Sequence, residues 1–223
     1  MSISVNNKVA LVTGANRGIG KAIVESFLKY GAKKVYLAVR DPASTKALED
    51  QFGSKVVTLR ADVSDSESIK ELARQTKDVD IVVNNAGIMH IASPLIANAF
   101  AGTLEANKGA LVQLNSIASI KTFTDISTYC ASKAASYSLT QGLKDKFAEK
   151  GVSVLSVHPG PIATDMGASA GFDGAPAATV VSEGIITALE NGDFHLFPDE
   201  LAKQFEAAYQ SFSDNIVTAN LSV

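Results

Sequence analysis

The sequence predicts an α/β fold: one Rossmann-like domain with a doubly wound parallel sheet of about seven strands, flanked by helices. Three observations predict it. Short apolar runs alternate with helical patterns along the whole chain. A glycine-rich turn joins the first apolar run to the first helical pattern. The other distinctive motifs also fall at or near the carboxyl ends of apolar runs, where this architecture binds ligands.

The elements follow in order. Lys8–Thr13 reads as a first strand. Gly18–Tyr30 reads as a helix, with Ile19, Ile23, Phe27 and Tyr30 on one face and Gly31 as the stop. Lys34–Val39 is a second strand, and Leu48 and Phe52 mark a weaker helix. Val56–Ala61 is a third strand, followed by the acidic helix start Asp65-Ser66-Glu67. Asp80–Asn84, Ala110–Ser116, Ser153–His158 and Phe194–Phe197 supply the fourth to seventh strands. A long helix lies between Ser127 and Lys150, another near Val180–Glu190, and residues 199–223 add a helix and a tail. Right-handed crossovers then wind the sheet in both directions.

The 223 residues suit a single domain, 1–223, with a substantial core. The net charge of −3 argues against a general nucleic-acid or membrane-surface binder. Cys130 is the single cysteine, so no internal disulfide forms, which fits a reducing compartment. The polar N-terminus lacks a signal-peptide pattern, and no apolar run approaches the roughly 20 residues of a membrane span. The expected location is cytoplasmic.

Thr13-Gly14-Ala15-Asn16-Arg17-Gly18-Ile19-Gly20 joins strand to helix. Glycines permit a tight turn and close backbone approach to a pyrophosphate, and the helix N-terminus adds unpaired N–H groups. Without its strand and helix context, such a segment is only a glycine-rich turn. The second strand ends in Val39-Arg40-Asp41. An acid near this strand end takes ribose hydroxyls in NAD binders. Arg40 instead suits a 2′-phosphate, with Arg17 approaching from the other side. The expectation is NADP(H) in preference to NAD(H). Pairing of Arg40 with Asp41, or Asp41 serving as the acid, stands as the alternative.

Tyr129-Cys130-Ala131-Ser132-Lys133 opens the long helix, and positions four apart share a face. A fixed ammonium beside a phenol lowers its pKa, which suits proton exchange with a carbonyl or alcohol oxygen. Ser116, 13 residues before Tyr129, can hydrogen-bond that oxygen; a serine at a strand end can equally satisfy its own backbone, as can Ser119.

With these elements in order, the chain resembles the main subgroup of the short-chain dehydrogenase/reductase family. The matching residues are Thr13-Gly14-x-x-x-Gly18-Ile19-Gly20, Asp62-Val63, Asn84-Asn85-Ala86-Gly87, Ser116, Tyr129-x-x-x-Lys133 and Pro159-Gly160-Pro161-Ile162-Ala163-Thr164. The resemblance implies that Ser116, Tyr129 and Lys133 are catalytic, with Tyr129 and Lys133 also near the cofactor. It implies adenine contacts from Asp62 and Val63, and ribose-side contacts from Asn85, Ala86 and Gly87, with Asn84 bracing the fourth strand. Pro159, Gly160, Ile162 and Thr164 would hold the nicotinamide, beside the Gly14, Asn16, Arg17, Gly18, Ile19 and Gly20 loop. It also implies a homodimer or homotetramer and a small carbonyl or alcohol substrate, and no metal.

The chain departs from the family between Gly87 and the fifth strand. Residues 88–109 form an unusually short crossover where the family carries a longer helix and a fourth catalytic residue, an Asn. Asn98 and Asn107 lack the expected spacing and are expected in solvent. Two explanations stand: a true deletion, or residues missing from the sequence, with the second favoured because 91–100 and 101–108 read as segments joined abruptly.

Three functions follow. The first is an NADPH-dependent reductase of ketones or aldehydes, reversible as an alcohol dehydrogenase, with His90, Phe123 and Met166 as pocket candidates and 166–179 as a lid or surface loop. The second is a cofactor-binding protein without turnover. The third is an epimerase or dehydratase on the same fold.

Overall fold

The computed structural model describes residues 1–86, 93–165, 167 and 174–219. Seven parallel strands form one sheet in the order β3-β2-β1-β4-β5-β6-β7. They are β1 (Val9–Thr13), β2 (Lys34–Val39), β3 (Val56–Arg60), β4 (Ile81–Asn84), β5 (Ala110–Leu114), β6 (Ser153–Val157) and β7 (His195–Leu196). The helices are α1 (Gly18–Lys29), α2 (Lys46–Phe52), α3 (Ser66–Gln75), α4 (Ser93–Asn107), α5 (Ser127–Ala148), α6 (Ala178–Asn191) and α7 (Glu200–Phe212). The strand order reverses between β1 and β4, the switch point at whose carboxyl edge this architecture places its ligand crevice.

Alternation along the buried strands divides the core. Ala10, Val12, Val35 and Leu37 face Ile23, Val24 and Phe27 of α1 and Val181, Ile185 and Leu189 of α6. Val9, Leu11, Val82 and Leu111 face Ile69 and Leu72 of α3, Ile96, Phe100 and Leu104 of α4, and Phe147 of α5. Burial on both faces explains why the central strands read as continuous apolar runs. Tyr30 departs from the predicted α1 stripe: it is exposed, because α1 ends at Lys29 and Tyr30 is its C-cap.

α4 occupies the short crossover between β4 and β5. Ser93–Asn107 is one continuous helix, and Ile96, Phe100 and Leu104 recur every fourth residue as a buried stripe. Asn98 is exposed as expected. Asn107 is not simply solvated: its Nδ2 donates to the Val79 carbonyl at 2.8 Å, tying the end of α4 to the turn before β4.

The 166–179 segment is likewise not all loop. Ala177 bridges Ala163, and Ala178 and Thr179 already lie in α6. Residues 166 and 168–173 lie outside the described residues. No helix among the described residues is long and apolar enough to cross a membrane.

Candidate active site

The glycine loop leaves β1 at the crevice. Gly14 and Gly18 have φ of 65° and 53°, which a side chain rarely adopts. Gly20 is required for space: a Cβ there would lie 2.2 Å from the Gly14 carbonyl oxygen and 2.6 Å from Asn85 Nδ2. Arg17 is the N-cap of α1 and makes no side-chain cap, so the first-turn N–H groups keep their outward donors. A positive-φ glycine turn feeding an uncapped helix start is the donor set a pyrophosphate needs. Asn16 and Ile19 are part-buried in this loop.

The loop is braced from β4. Thr13 Oγ1 accepts from the N–H groups of Asn85 and Ala86, both at 3.0 Å. Asn85 Nδ2 donates to the carbonyls of Thr13 at 2.9 Å and Gly14 at 3.3 Å. Asn85 therefore carries a structural load beyond the ligand contact the resemblance implies. Asn84 Nδ2 donates to Gln113 Oε1 at 2.9 Å, bracing β4 against β5 as expected. Gly87 and His90 lie outside the described residues.

Just beyond β2, Arg40 is exposed and forms no ion pair among the described residues. Asp41 does not engage it. Its Oδ1 accepts from Ala43 N–H at 3.1 Å and caps a short turn, so the carboxylate has a task within its own loop. Arg17 reaches the other way, to Asp165 at 3.3 Å, in an exposed pair. Asp62 sits just beyond β3 and Val63 is buried. Asp62 Oδ1 accepts from the N–H and hydroxyl of Ser64 at 2.9 and 2.6 Å. Those bonds, with the Arg40 and Arg60 charges nearby, hold its carboxyl below the usual carboxylate range.

The strap after β6 closes the crevice opposite the glycine loop. Pro159 and Ile162 are buried. Gly160 N–H donates to Asp199 Oδ2 at 2.7 Å, and a Cβ at Gly160 would lie 2.8 Å from Asp199 Oδ1. The buried Asp199 also caps α7 through Ala202 N–H at 3.0 Å. Thr164 faces the loop: a Cβ on Gly18 would meet its Cγ2 at 3.2 Å.

Ser116, Tyr129 and Lys133 converge at the ends of β5 and α5. β5 ends at Leu114, so Ser116 is not the last strand residue but the N-cap of a short turn, Ile117–Ser119. Its Oγ accepts from Ala118 N–H at 3.1 Å and donates to the Pro159 carbonyl at 3.3 Å. Burial raises the Tyr129 phenol above its ordinary value, and a hydrogen bond with Ser116 partly offsets this. The expected lowering by Lys133 is absent. Lys133 Nζ donates to the Leu114 carbonyl at 2.7 Å and lies 5.8 Å from the Tyr129 ring centroid. Burial pushes Lys133 itself down to about 8. Phe123 is part-buried and packs against the Ile117, Phe197 and Ala202 cluster, and its N–H donates to Cys130 Sγ at 3.3 Å. Met166 lies outside the described residues.

Sequence reasoning missed the buried polar residues around this turn and strap: Asn115, His158 and Asp199. Only Asp199 left a signal, as a helix cap before Glu200.

Fold and site together define a dinucleotide-fold protein with a serine, a tyrosine and a lysine gathered at one strand end. The family model for short chain dehydrogenases matches in two segments, 8–98 and 93–173, which meet within α4. An uncharacterized oxidoreductase of Staphylococcus saprophyticus is 36% identical over 194 residues, covering 74% of this chain and 82% of that one. A 3-oxoacyl-(acyl-carrier-protein) reductase of Haemophilus influenzae is 30% identical over 191 residues, covering 73% and 77%. A Burkholderia cenocepacia short chain dehydrogenase solved in complex with NADP superposes with a TM-score of 0.87 at 26% identity, covering 97% of this chain and 100% of that one. The chain belongs to the short chain dehydrogenase family, a family of oxidoreductases.

Proposed function

We propose that the protein is an NADP(H)-dependent reductase of small ketones or aldehydes, reversible as a secondary-alcohol dehydrogenase. One observation carries the reading: Ser116, Tyr129 and Lys133 gather at one strand end, with Lys133 Nζ donating to the Leu114 carbonyl at 2.7 Å, two residues before Ser116, and lying 5.8 Å from the Tyr129 ring centroid.

A dinucleotide would be held by the backbone of Gly14–Gly20, by Pro159, Gly160, Ile162 and Thr164, and by Arg40 at the 2′-phosphate. A bound nicotinamide supplies the hydride that the carbonyl carbon accepts. This chain's residues manage the oxygen. Ser116 Oγ turns its hydrogen from the Pro159 carbonyl to the substrate oxygen, stabilising the developing charge. Tyr129 delivers the proton. Its raised pKa keeps it a neutral phenol at physiological pH, the form that reduction requires. Lys133, pushed down to about 8, still holds its proton at neutral pH and stands behind the tyrosine.

NADP(H) preference rests on the exposed Arg40, which has no ion pair among the described residues, and on the engagement of Asp41 with its own turn. The purified protein should consume NADPH with a panel of simple ketones and aldehydes. Arg40→Asp should weaken NADPH binding about 10-fold or more while leaving NADH nearly unchanged. An unchanged ratio of the two affinities sinks the cofactor assignment. NADPH binding with no turnover on the panel favours a binding protein instead.

A further inference from the structure

His158 has no task in the reading above, yet it is fully buried between β6 and the Pro159-Gly160 strap. Both of its ring nitrogens are engaged. Nε2 lies 2.7 Å from Ser156 Oγ. Nδ1 lies 3.2 Å from the Ser116 carbonyl oxygen and 3.0 Å from Ser119 Oγ.

The direction of each bond follows from the hydrogens available. Thr140 donates its hydroxyl hydrogen to the Ser136 carbonyl at 2.8 Å, so toward Asn115 it can only accept. That turns Asn115 Nδ2, not Oδ1, toward Thr140 at 3.3 Å and Ser156 Oγ at 2.8 Å. Asn115 Oδ1 accepts from Ser136 Oγ at 2.7 Å. Ser156, receiving from Asn115, gives its own hydrogen to His158 Nε2. A bare Nε2 on a neutral ring requires the hydrogen on Nδ1. The Nδ1–H then points at the Ser116 carbonyl and Ser119 Oγ, while the Ser119 hydroxyl itself donates to that same carbonyl.

We infer that His158 is a positioning residue for Ser116: its Nδ1–H grips the serine's carbonyl, while Asn115 and Ser156 tie the ring to α5, the helix that carries Tyr129 and Lys133. Ser136 is three residues beyond Lys133, so the chain of bonds begins one turn from the lysine and ends on the serine. The next residue, Pro159, takes the Ser116 hydroxyl and the Ile117 N–H, at 3.3 and 3.1 Å. One short segment thus holds Ser116 by its carbonyl and by its hydroxyl. This inference rests on Ser116 acting on the substrate oxygen.

Two variants separate positioning from packing. His158→Asn keeps an amide donor near the Nδ1 position and loses the Ser156 contact. His158→Gln reaches toward Ser156 and loses the Ser116 contact. Both should lower Tm to a similar extent. His158→Gln should lower kcat about 10-fold or more with KM and NADPH affinity unchanged, and His158→Asn should stay within about 3-fold of wild type. Equal kcat losses that track Tm, or wild-type kcat in His158→Gln, overturn the inference. Ser116→Ala distinguishes the failures: if it is active, the assignment of Ser116 falls and the inference with it; if it is inactive while His158→Gln is normal, only His158 is wrong. Nitrogen-15 NMR of the wild-type ring is independent of turnover. The expected result at neutral pH is a protonated Nδ1 and a bare Nε2; the opposite tautomer overturns the inference.

Discussion

The glycine loop after β1 and the serine turn after β5 are two answers to one problem, holding a strand-end turn in a fixed shape. The glycine loop is held by backbone and amide groups. Thr13 and Asn85 supply its braces, and none of them titrates. The serine turn is held from the end of β6, by the Pro159 carbonyl and by the neutral, buried His158, whose ring is tied in turn to Ser156 and Asn115. The first turn is therefore limited by space and the second by protonation. The difference makes opposite predictions for a methyl group and for acid.

The largest effect is expected from Gly20→Ala. Its Cβ would meet backbone at 2.2 Å, which no side-chain rotation relieves. A loss of about 3 kcal/mol or more in stability, or of dinucleotide binding by a similar factor, is expected in calorimetry. A variant with wild-type Tm and NADPH affinity breaks the claim that space limits this loop.

Acid comes next. Burial pushes His158 down to about 3 and His195 down to about 4, with the His195 charge adding to the depression of His158. Both are lowered from the ordinary 6.5, so below that value the unfolded chain binds protons that the folded chain refuses. Their contribution is complete above pH 6.5 and is lost as the pH falls toward 4 and 3. Each group costs up to about 1.4 kcal/mol per pH unit in that window. Tm should fall between pH 6.5 and 4.5, above the range where carboxylates such as Asp62 titrate. Amides of the serine turn should lose exchange protection with it, and those of the glycine loop only on global unfolding. A flat Tm across the window contradicts the neutral-histidine account.

Gly160→Ala should be milder than Gly20→Ala. Its Cβ meets the end of the Asp199 side chain at 2.8 Å, and a carboxylate can swing where backbone cannot. A cost of about 1–2 kcal/mol is expected, with α7 loosened because Asp199 is its cap. A cost equal to that of Gly20→Ala erases the distinction between the two sides.

Legibility in the sequence follows the same division. The strands, α1, α5 and the glycine loop were readable because burial on both faces and positive φ leave apolar runs and glycines at fixed spacing. Tyr129 and Lys133 were readable because a helix places positions four apart on one face. The departure of Lys133 toward the Leu114 carbonyl was not readable, since a strand carbonyl leaves no mark in sequence. Nor was the network of Asn115, Ser156 and His158, which joins residues up to 43 positions apart, counting from Asn115 to His158. Ser116 reads in sequence as the end of a strand, whereas it caps the turn that follows the strand.

The most direct test of the central claim is NADPH consumption by Tyr129→Phe against a carbonyl that the wild type reduces. The change removes one hydroxyl from a half-buried ring and leaves the glycine loop and the Pro159–Thr164 strap unaltered. A fall in kcat of about 100-fold or more, with NADPH affinity unchanged, is the predicted result. Turnover within about 10-fold of wild type would contradict Tyr129 as the proton donor.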